Sequence, residues 1–247
     1  MNVYNPFSLE GKTILVTGAS SGIGRGIAVA CATMGAKIVI NGRNHSKLKE
    51  TLSMMNGEGH LVLPGDLTDT VTLPALVEQF PKLDGVVHCA GVGTRILCKN
   101  ITSNDVDATI GTNFKAPVML QTEILKQKKI SKGGSIVFIS SVSKDAPSVG
   151  NALYAASKGA LVSYANCLKL ELAPRLIRVN CISPAMIWTD LIFKGGLTED
   201  VLHQDELKYP LKRYGTPQDV AYLAIYLLSD ASNWMTGTNV NITGGAY

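Results

Sequence analysis

Short apolar runs alternate with amphipathic stretches from one end of this chain to the other. The runs are rich in Val, Ile and Leu and are largely continuous, which is typical of parallel strands buried on both faces. Strands are predicted at residues 12–17, 36–41, 60–63, 84–88, 135–140, 178–182 and 238–242. An apolar period of 3.6 residues predicts helices at residues 23–34, 45–55, 70–80, 103–127, 151–172 and 216–229.

This alternation of about seven strands with six helices predicts the α/β class. The expected architecture is a Rossmann-like, doubly wound parallel sheet with helices on both faces. The chain has 247 residues and shows no linker, repeat or low-complexity segment, so residues 1–247 are expected to form a single domain. Residues 186–210 break the pattern, and we expect them to form an irregular, functional lid.

Composition narrows the functional classes. Apolar residues make up 46% of the chain and charged residues 17%, with a net charge of +4 spread along the sequence, so nucleic-acid binding is not expected. No signal-peptide pattern or membrane-length apolar run is present, which favours a cytoplasmic protein without a membrane partner. The five Cys include no CxxC pair and are predicted to be reduced and largely buried, and four scattered His predict no metal site.

A glycine-rich turn joins the first strand to the first helix. Gly18, Gly22 and Gly24 permit a tight turn and close approach of a ligand to the backbone. The following helix N-terminus presents free N–H groups and a positive dipole end, which suit the pyrophosphate of a dinucleotide. The spacing is GxxxGxG rather than GxGxxG, and a glycine turn without a ligand remains the alternative.

The ends of the second and third strands indicate which nucleotide is bound. Gly42 carries no carboxylate for ribose hydroxyls, and Arg43 supplies a cation for a 2′-phosphate, so NADP(H) is preferred and NAD(H) is possible. An ordinary surface arginine is the alternative interpretation. Asp66 follows the third strand and is predicted either to accept from the adenine amino group or to cap the next helix.

Tyr154 and Lys158 are four residues apart, so on a helix their side chains share one face. A nearby ammonium group favours the ionised phenol and lowers its pKa, whereas burial raises that pKa, so a bound oxidised nicotinamide would help. The hydroxyl of Ser141 could hold a substrate carbonyl oxygen beside the phenol. Asn113 lies within a predicted helix and could face the sheet and hold water. A Tyr and a Lys on a helix surface without a function form the alternative.

Taken together, the ordered motifs resemble the short-chain dehydrogenase/reductase family over essentially the whole chain. The motifs are the TGASSGIG turn of residues 17–24, Asp66, Ala90-Gly91, Asn113, Ser141, Tyr154 with Lys158, and residues 184–189.

The resemblance implies a catalytic tetrad of Asn113, Ser141, Tyr154 and Lys158. Tyr154 would protonate a carbonyl oxygen, Ser141 would orient it, Lys158 would lower the phenol's pKa and bind the nicotinamide ribose, and Asn113 would hold a relay water. Cofactor contacts are implied at Gly18, Ser20, Ser21, Gly22, Ile23, Gly24, Arg43, Asp66, Leu67, Ala90, Gly91, Tyr154, Lys158, Pro184, Ile187 and Thr189.

At two places near the implied site the sequence departs from the family pattern. His88-Cys89 replaces the usual polar pair before Ala90, which weakens the expected polar support of the fourth strand. Ala185 replaces a usual glycine, and its methyl group is expected to crowd or tune the nicotinamide.

The C-terminal half is similar to acyl carrier protein-linked ketoreductases of fatty acid biosynthesis, most clearly at residues 233–247. This resemblance implies a 3-oxoacyl thioester substrate, a carrier protein met by Lys132 and Arg175, and a homotetramer. Thr94-Arg95 also matches a loop of those enzymes. Two alternatives remain: the same reaction on a sugar, polyol, steroid or small ketone, and a nucleotide-binding regulator without turnover.

Overall fold

A computed structural model describes residues 4–196 and 198–246. Residues 1–3, Leu197 and Tyr247, which include the ends of the predicted domain and one position of the predicted lid, lie outside the described residues. The described residues form one seven-stranded, wholly parallel sheet. Its strands are β1 (Thr13–Thr17), β2 (Lys37–Gly42), β3 (Leu61–Pro64), β4 (Leu83–His88), β5 (Ile130–Ile139), β6 (Arg178–Pro184) and β7 (Asn239–Ile242).

Helices cover both faces of the sheet. They are α1 (Gly22–Thr33), α2 (His45–Ser53), α3 (Leu73–Glu78), α4 (Ser103–Ile110), α5 (Ala116–Lys126), α6 (Ala152–Leu172), α7 (Glu199–Glu206) and α8 (Pro217–Leu228). The predicted doubly wound α/β architecture is confirmed. One prediction is wrong in part: residues 186–210 are not irregular throughout, because they contain a short 3₁₀ turn, Ile192–Gly195, and helix α7.

Alternate residues of each strand serve two cores because successive side chains point to opposite faces. Ile14 and Val16 of β1 join the core beneath α1 and α8, whereas Leu15 joins the core beneath α3, α5 and α6. Continuous apolar strands are therefore the expected sequence pattern of this layer.

The strands lie in the order β3-β2-β1-β4-β5-β6-β7. From β1 the chain adds strands toward one edge of the sheet, and from β4 it adds them toward the other edge. The connections from these two strands leave toward opposite sides, which opens a crevice at their carboxyl ends. Thr17, the last residue of β1, bridges the two strands because its hydroxyl accepts from the backbone N–H groups of Cys89 (3.0 Å) and Ala90 (3.1 Å).

Several local predictions need correction. The predicted helix of residues 103–127 is divided by a wider π-helical turn, Gly111–Lys115, and β5 begins five residues earlier than predicted, at Ile130. Among the cysteines, Cys31 and Cys181 are buried but Cys98 and Cys167 are exposed, because an apolar neighbourhood in sequence does not fix which helix face a residue occupies. No helix among residues 4–196 and 198–246 is long and apolar enough to cross a membrane.

Candidate functional site

A crevice of about 410 Å³ opens at the carboxyl ends of β1 and β4. The glycine turn after β1 forms its floor, and the segments after β2, β3, β4, β5 and β6 form its walls. This is the position at which open parallel sheets bind ligands. A second cavity of about 330 Å³ adjoins it and shares Ile23, Ser141, Tyr154, Thr189 and Leu191.

The glycine turn fits its surroundings so closely that side chains are excluded. Gly18 has φ +66°, and a Cβ there would lie 2.8 Å from the Cα of Ala90. A Cβ on Gly24 would collide with the carbonyl oxygen of Gly18. Both positions therefore require glycine for packing, independently of any ligand.

Side chains of α1 and α2 hold the carbonyl groups of the same turn. The hydroxyl of Thr51 donates to the Ala19 carbonyl oxygen (2.8 Å), and the Arg25 guanidinium donates to the Ser20 carbonyl oxygen (2.6 Å). With these carbonyl groups engaged, Gly22, Ile23 and Gly24 at the start of α1 line the crevice. The Ser21 side chain does not cap α1, so that N-terminus is open to an anion.

These observations test whether a dinucleotide fits. The glycine turn and the uncapped N-terminus of α1 suit a phosphate group. The buried Asn41 Oδ1 on the crevice wall is an acceptor without a protein partner, and it suits a donor group of the same ligand. The residues present therefore fit a nicotinamide dinucleotide.

The far rim of the crevice carries positive charge. Arg43 lies at the end of β2, and Lys47, one turn into α2, lines the same crevice. The sequence analysis missed Lys47, and the spacing of four residues from Arg43 was no signal for it, because Arg43 precedes the N-cap of α2 and is not helical. Asp66 lines the same crevice, and its carboxylate accepts from the Thr68 backbone N–H (2.9 Å) and hydroxyl (2.7 Å); these bonds lower the pKa of Asp66, and Arg43 lowers it further. Asp66 does not cap α3, which starts at Leu73, so that alternative is wrong.

Tyr154 and Ser141 occupy the junction of the two cavities. Ser141 follows β5, and Tyr154 lies in the first turn of α6, so both line the crevice and the second cavity. Burial raises the pKa of Tyr154, and a hydrogen bond with Ser141 acts in the opposite direction. In the protein alone the phenol is therefore harder to ionise than a free one, contrary to the expected lowering, because loss of hydration outweighs the hydrogen bond with Ser141.

Lys158 lies beneath Tyr154 with a side chain only 4% exposed. Its ammonium group donates to the Ile139 carbonyl oxygen (2.8 Å) and stands 5.8 Å from the centre of the Tyr154 ring. Burial lowers the pKa of Lys158 to about 8. Ser140 fixes this part of α6 against β5 because its hydroxyl donates to the Lys158 carbonyl oxygen (2.8 Å).

Asn113 is fully buried in the π-helical turn and borders neither cavity directly. Its Oδ1 accepts from the Val92 backbone N–H (2.8 Å), and its amide nitrogen donates to the Val92 carbonyl oxygen and to the Ser157 hydroxyl (3.0 Å each). Both amide protons are thus committed, and one lone pair of Oδ1 is left. Asn113 holds the segment after β4 against α6.

The two sequence departures have separate structural consequences. His88 is buried, stacks on Phe138 with ring centroids 4.6 Å apart, and contacts Gln121 Oε1 (2.9 Å). Burial lowers the pKa of His88 to about 4, so it is a neutral core residue. Cys89 lines the crevice, and burial raises the pKa of its thiol to about 12. Ala185 lines the second cavity rather than the crevice.

The lid segment is organised around Glu206, which the sequence analysis did not identify. Its carboxylate accepts from the Trp188 indole N–H (2.9 Å) and the Tyr214 backbone N–H (3.1 Å) and contacts His203 Nδ1 (2.7 Å). Leu202 of α7 is buried in a small third core with Tyr214. This arrangement fastens α7 beside Ile187 and Thr189.

The basic positions Lys132 and Arg175 lie far from the crevice. Arg175 donates to the Ile130 carbonyl oxygen (2.6 Å), two residues from the exposed Lys132, so both occupy the amino end of β5. Ile130 pairs with Leu83 and Phe138 pairs with His88, and the five-residue step along β4 between these pairs corresponds to about 17 Å of strand, because β5 is irregular around Lys132.

The structure gathers most of the predicted site. Every predicted cofactor contact lines the crevice except Ile187, which lines the second cavity. Of the predicted catalytic residues, Ser141, Tyr154 and Lys158 line the crevice, and Asn113 lies behind it. Among the described residues, no group of three or more His, Cys, Asp or Glu is gathered to hold a metal ion.

Comparisons with known proteins agree with this geometry. The family profile described as Enoyl-(Acyl carrier protein) reductase matches residues 18–247. The 3-oxoacyl-[acyl-carrier-protein] reductase FabG of Rickettsia felis is 34% identical over 96% of this chain and 97% of its own length.

Solved structures give the same result. A short-chain dehydrogenase/reductase of Brucella melitensis, described as a glucose/ribitol dehydrogenase, superposes with a TM-score of 0.90 at 29% identity and covers 98% of this chain and 99% of its own. A candidate NAD(P)-dependent gluconate 5-dehydrogenase of Beutenbergia cavernae, with NADP bound at low occupancy, gives 0.87 at 30% identity, with 98% of each chain covered.

Proposed function

This chain belongs to the short-chain dehydrogenase/reductase family, and on that premise we propose that it is an NADPH-dependent reductase of a 3-oxoacyl thioester. The family places it among oxidoreductases that act on CH–OH or C=O groups with NAD(P)(H). The observation that carries the proposal is the shared position of Ser141 and Tyr154 at the junction of the dinucleotide crevice and a second, substrate-sized cavity.

The chain's own residues supply the acid chemistry. When bound, the nicotinamide supplies a hydride to the carbonyl carbon. The raised pKa of Tyr154 keeps its phenol protonated at neutral pH, so it can donate a proton to the carbonyl oxygen that Ser141 orients. The Lys158 ammonium then stabilises the phenolate that remains.

Asn113 is proposed to support reprotonation of Tyr154. A Cβ on Gly91 would lie 3.2 Å from Asn113 Oδ1 and 3.3 Å from Lys158 Nζ, so both groups border the same glycine. A water between them would accept from Lys158 and donate to the remaining lone pair of Asn113.

The preference for NADP(H) over NAD(H) is proposed from Gly42, Arg43 and Lys47. Two cations at the rim and no carboxylate at position 42 favour a 2′-phosphate. Replacing Arg43 by Leu should raise KM for NADPH about 10- to 100-fold and leave KM for NADH within about threefold, since one charged hydrogen-bonding partner of the phosphate is lost. Equal effects on both cofactors would remove this support.

The 3-oxoacyl thioester is proposed from the likeness to the Rickettsia reductase and from the basic pair Lys132 and Arg175. Because that pair lies at the amino end of β5, an acyl carrier protein docked there would deliver its substrate to the crevice of a neighbouring subunit. This delivery needs at least a second copy of the chain, and the proposal adopts the homotetramer that the family resemblance implies, with each single domain of residues 1–247 in the cytoplasm.

The experiment is NADPH oxidation by the purified protein with acetoacetyl thioesters. Replacing Tyr154 by Phe should reduce kcat at least about 1,000-fold and leave the thermal stabilisation by NADP⁺ intact, because only the proton donor is removed. Tyr222→Phe, at an exposed tyrosine of α8, is the matched control. Unchanged rates for Tyr154→Phe would refute the assignment, and absence of any turnover would favour the regulator hypothesis.

A second candidate is the same reaction on a sugar, polyol, steroid or small ketone. Hydroxyl and amide groups of Thr94, Ser143, Ser148 and Asn151 line the second cavity, and groups of this kind suit a hydroxylated substrate. The glucose/ribitol and gluconate descriptions of the structural neighbours support the same candidate. A panel of ketones and alcohols separates the two candidates.

A further inference from the structure

The second cavity contains a single charged side chain among the residues that the structure describes. That residue is Arg95, in the segment between β4 and α4. The rest of the lining is apolar or neutral and includes Ile23, Leu191 and Ile192 as well as Ser and Thr residues. A guanidinium in a concave, otherwise uncharged surface is a preferred partner for carboxylate and phosphate groups.

The backbone on both sides of Arg95 is anchored. The Thr94 hydroxyl is hydrogen-bonded to the buried Thr109 hydroxyl (2.8 Å), and the Ile96 N–H donates to the Gly150 carbonyl oxygen (2.8 Å). The aliphatic stem of Arg95 packs on Gly150, where an added Cβ would lie 3.2 Å from Arg95 Cγ. The stem of this exposed residue is therefore held beside Gly150 at the cavity, while its guanidinium forms no ion pair within residues 4–196 and 198–246.

A second observation points to a ligand in this cavity. Ser143 is 7% exposed and lines the cavity, yet its hydroxyl has no hydrogen-bond partner. Its backbone N–H is already engaged by Ser141 Oγ (3.2 Å), so the two serines are held side by side. A buried hydroxyl without a partner is unfavourable, and a substrate oxygen would satisfy it.

We propose that the substrate carries an oxyanion, a carboxylate or a phosphate, that binds Arg95 while a second substrate oxygen meets the Ser143 hydroxyl. This inference rests on the proposed function, because it assigns one end of the substrate whose carbonyl group lies at Ser141 and Tyr154. Arg95 then determines specificity by substrate charge and takes no part in proton or hydride transfer.

The experiment compares ketones that differ in charge but share the reacting group. 5-Keto-D-gluconate and L-sorbose form the carboxylate pair, and acetoacetyl-coenzyme A and its neutral N-acetylcysteamine thioester form the phosphate pair. One of the two pairs is expected to be turned over by the wild type. For the anionic member of that pair, Arg95→Met should raise KM about 10- to 100-fold; for the neutral member, KM should change by no more than about threefold. Arg95→Lys should fall between, because it keeps the charge but not the planar fork.

Lys99→Met is the matched control, because Lys99 is an exposed cation in the same segment that does not line the cavity. Ser143→Ala should lower kcat/KM several-fold for charged and neutral members alike. The inference would be overturned if Arg95→Met lost kcat/KM equally for both members of a pair, or lost none. It would also be overturned if the wild type turned over only the neutral members. Each of these outcomes leaves the proposed reductase activity intact.

If the wild type reduces no ketone, the proposed function fails, and binding decides the inference instead. Calorimetric titration of D-gluconate and of coenzyme A into the NADP⁺-saturated wild type and Arg95→Met proteins should then show binding that depends on Arg95. Binding equal in both proteins, or absent from both, would overturn it.

Discussion

The glycine turn of residues 18–24 and the lid segment of residues 186–210 border the same site but are built differently. The turn is shaped by backbone groups so close together that no side chain fits at Gly18 or Gly24. The lid is held by side chains that converge on one carboxylate, Glu206. The turn therefore tolerates almost no added atom, whereas the lid depends on groups whose removal loosens it by degrees.

The largest effect is expected from adding one methyl group to the turn. Gly24→Ala forces the Gly18 carbonyl to move, so we expect a loss of NADPH affinity of at least about 100-fold and a destabilisation of about 1–3 kcal/mol. Fluorescence titration with NADPH and thermal unfolding measure the two effects. Gly111→Ala, where an added Cβ meets open space, is the control. Unchanged affinity in Gly24→Ala would contradict the packing argument.

Substitution of Lys158 tests whether a buried charge in the crevice lowers the free energy of unfolding. Its pKa falls from 10.5 to about 8, so the folded protein resists the charge by about 3 kcal/mol at 1.36 kcal/mol per pH unit. We expect Lys158→Met to unfold at a higher temperature at pH 7 and to lose at least about 100-fold in kcat.

The wild type supplies a second measurement on Lys158. A base with a lowered folded pKa is protonated below that value and neutral above it, so reduction should slow as the pH rises through about 8. Over the same range up to about 10.5 the unfolded chain binds more protons, so the lysine's contribution to stability should rise with pH. A Lys158→Met protein that is less stable at pH 7 would contradict the cost of the buried charge.

For the lid, a neutral carboxamide at position 206 should have a smaller effect. Glu206→Gln weakens the bonds to Trp188 and His203, and we expect kcat/KM to fall about tenfold with a small change in unfolding temperature. In a Trp234→Phe background Trp188 is the only tryptophan, so its emission reports lid docking. Asp200→Asn, at an exposed carboxylate in the first turn of the same helix, should leave emission and rate unchanged.

The smallest expected effect is the pH response of the lid. Its hydrogen bond to Glu206 raises the pKa of His203, and Glu199 also faces this ring. Because the pKa is raised on folding, the protonated ring stabilises the folded lid. This stabilisation is complete below about pH 6.5 and is lost as the pH rises through the raised pKa. The ring of His203 lies 4.9 Å from that of Trp188, so Trp188 emission should change over this range. His203→Gln should abolish the change; its persistence would assign it to another group.

The alternation of apolar runs predicted the parallel sheet, and the glycine spacing predicted the turn, because both depend on local backbone requirements. Tyr154 and Lys158 were also predictable, since four residues on a helix fix their relative position. The structure of the lid was not, because α7 is short and polar and is stabilised by Trp188 and Tyr214, which lie outside it in sequence.

The amino-acid sequence by itself determined the order of the seven strands and of the helices outside the lid, the need for glycine at the nucleotide turn and the pairing of the phenol with the ammonium group. Only the tertiary structure decided the direction of the Tyr154 pKa, the burial of Asn113, the remote position of Lys132 and the placing of Arg95 in the second cavity. The physical reason is that desolvation and long-range contacts depend on which segments enclose a group, and periodicity along one segment carries no information about its neighbours.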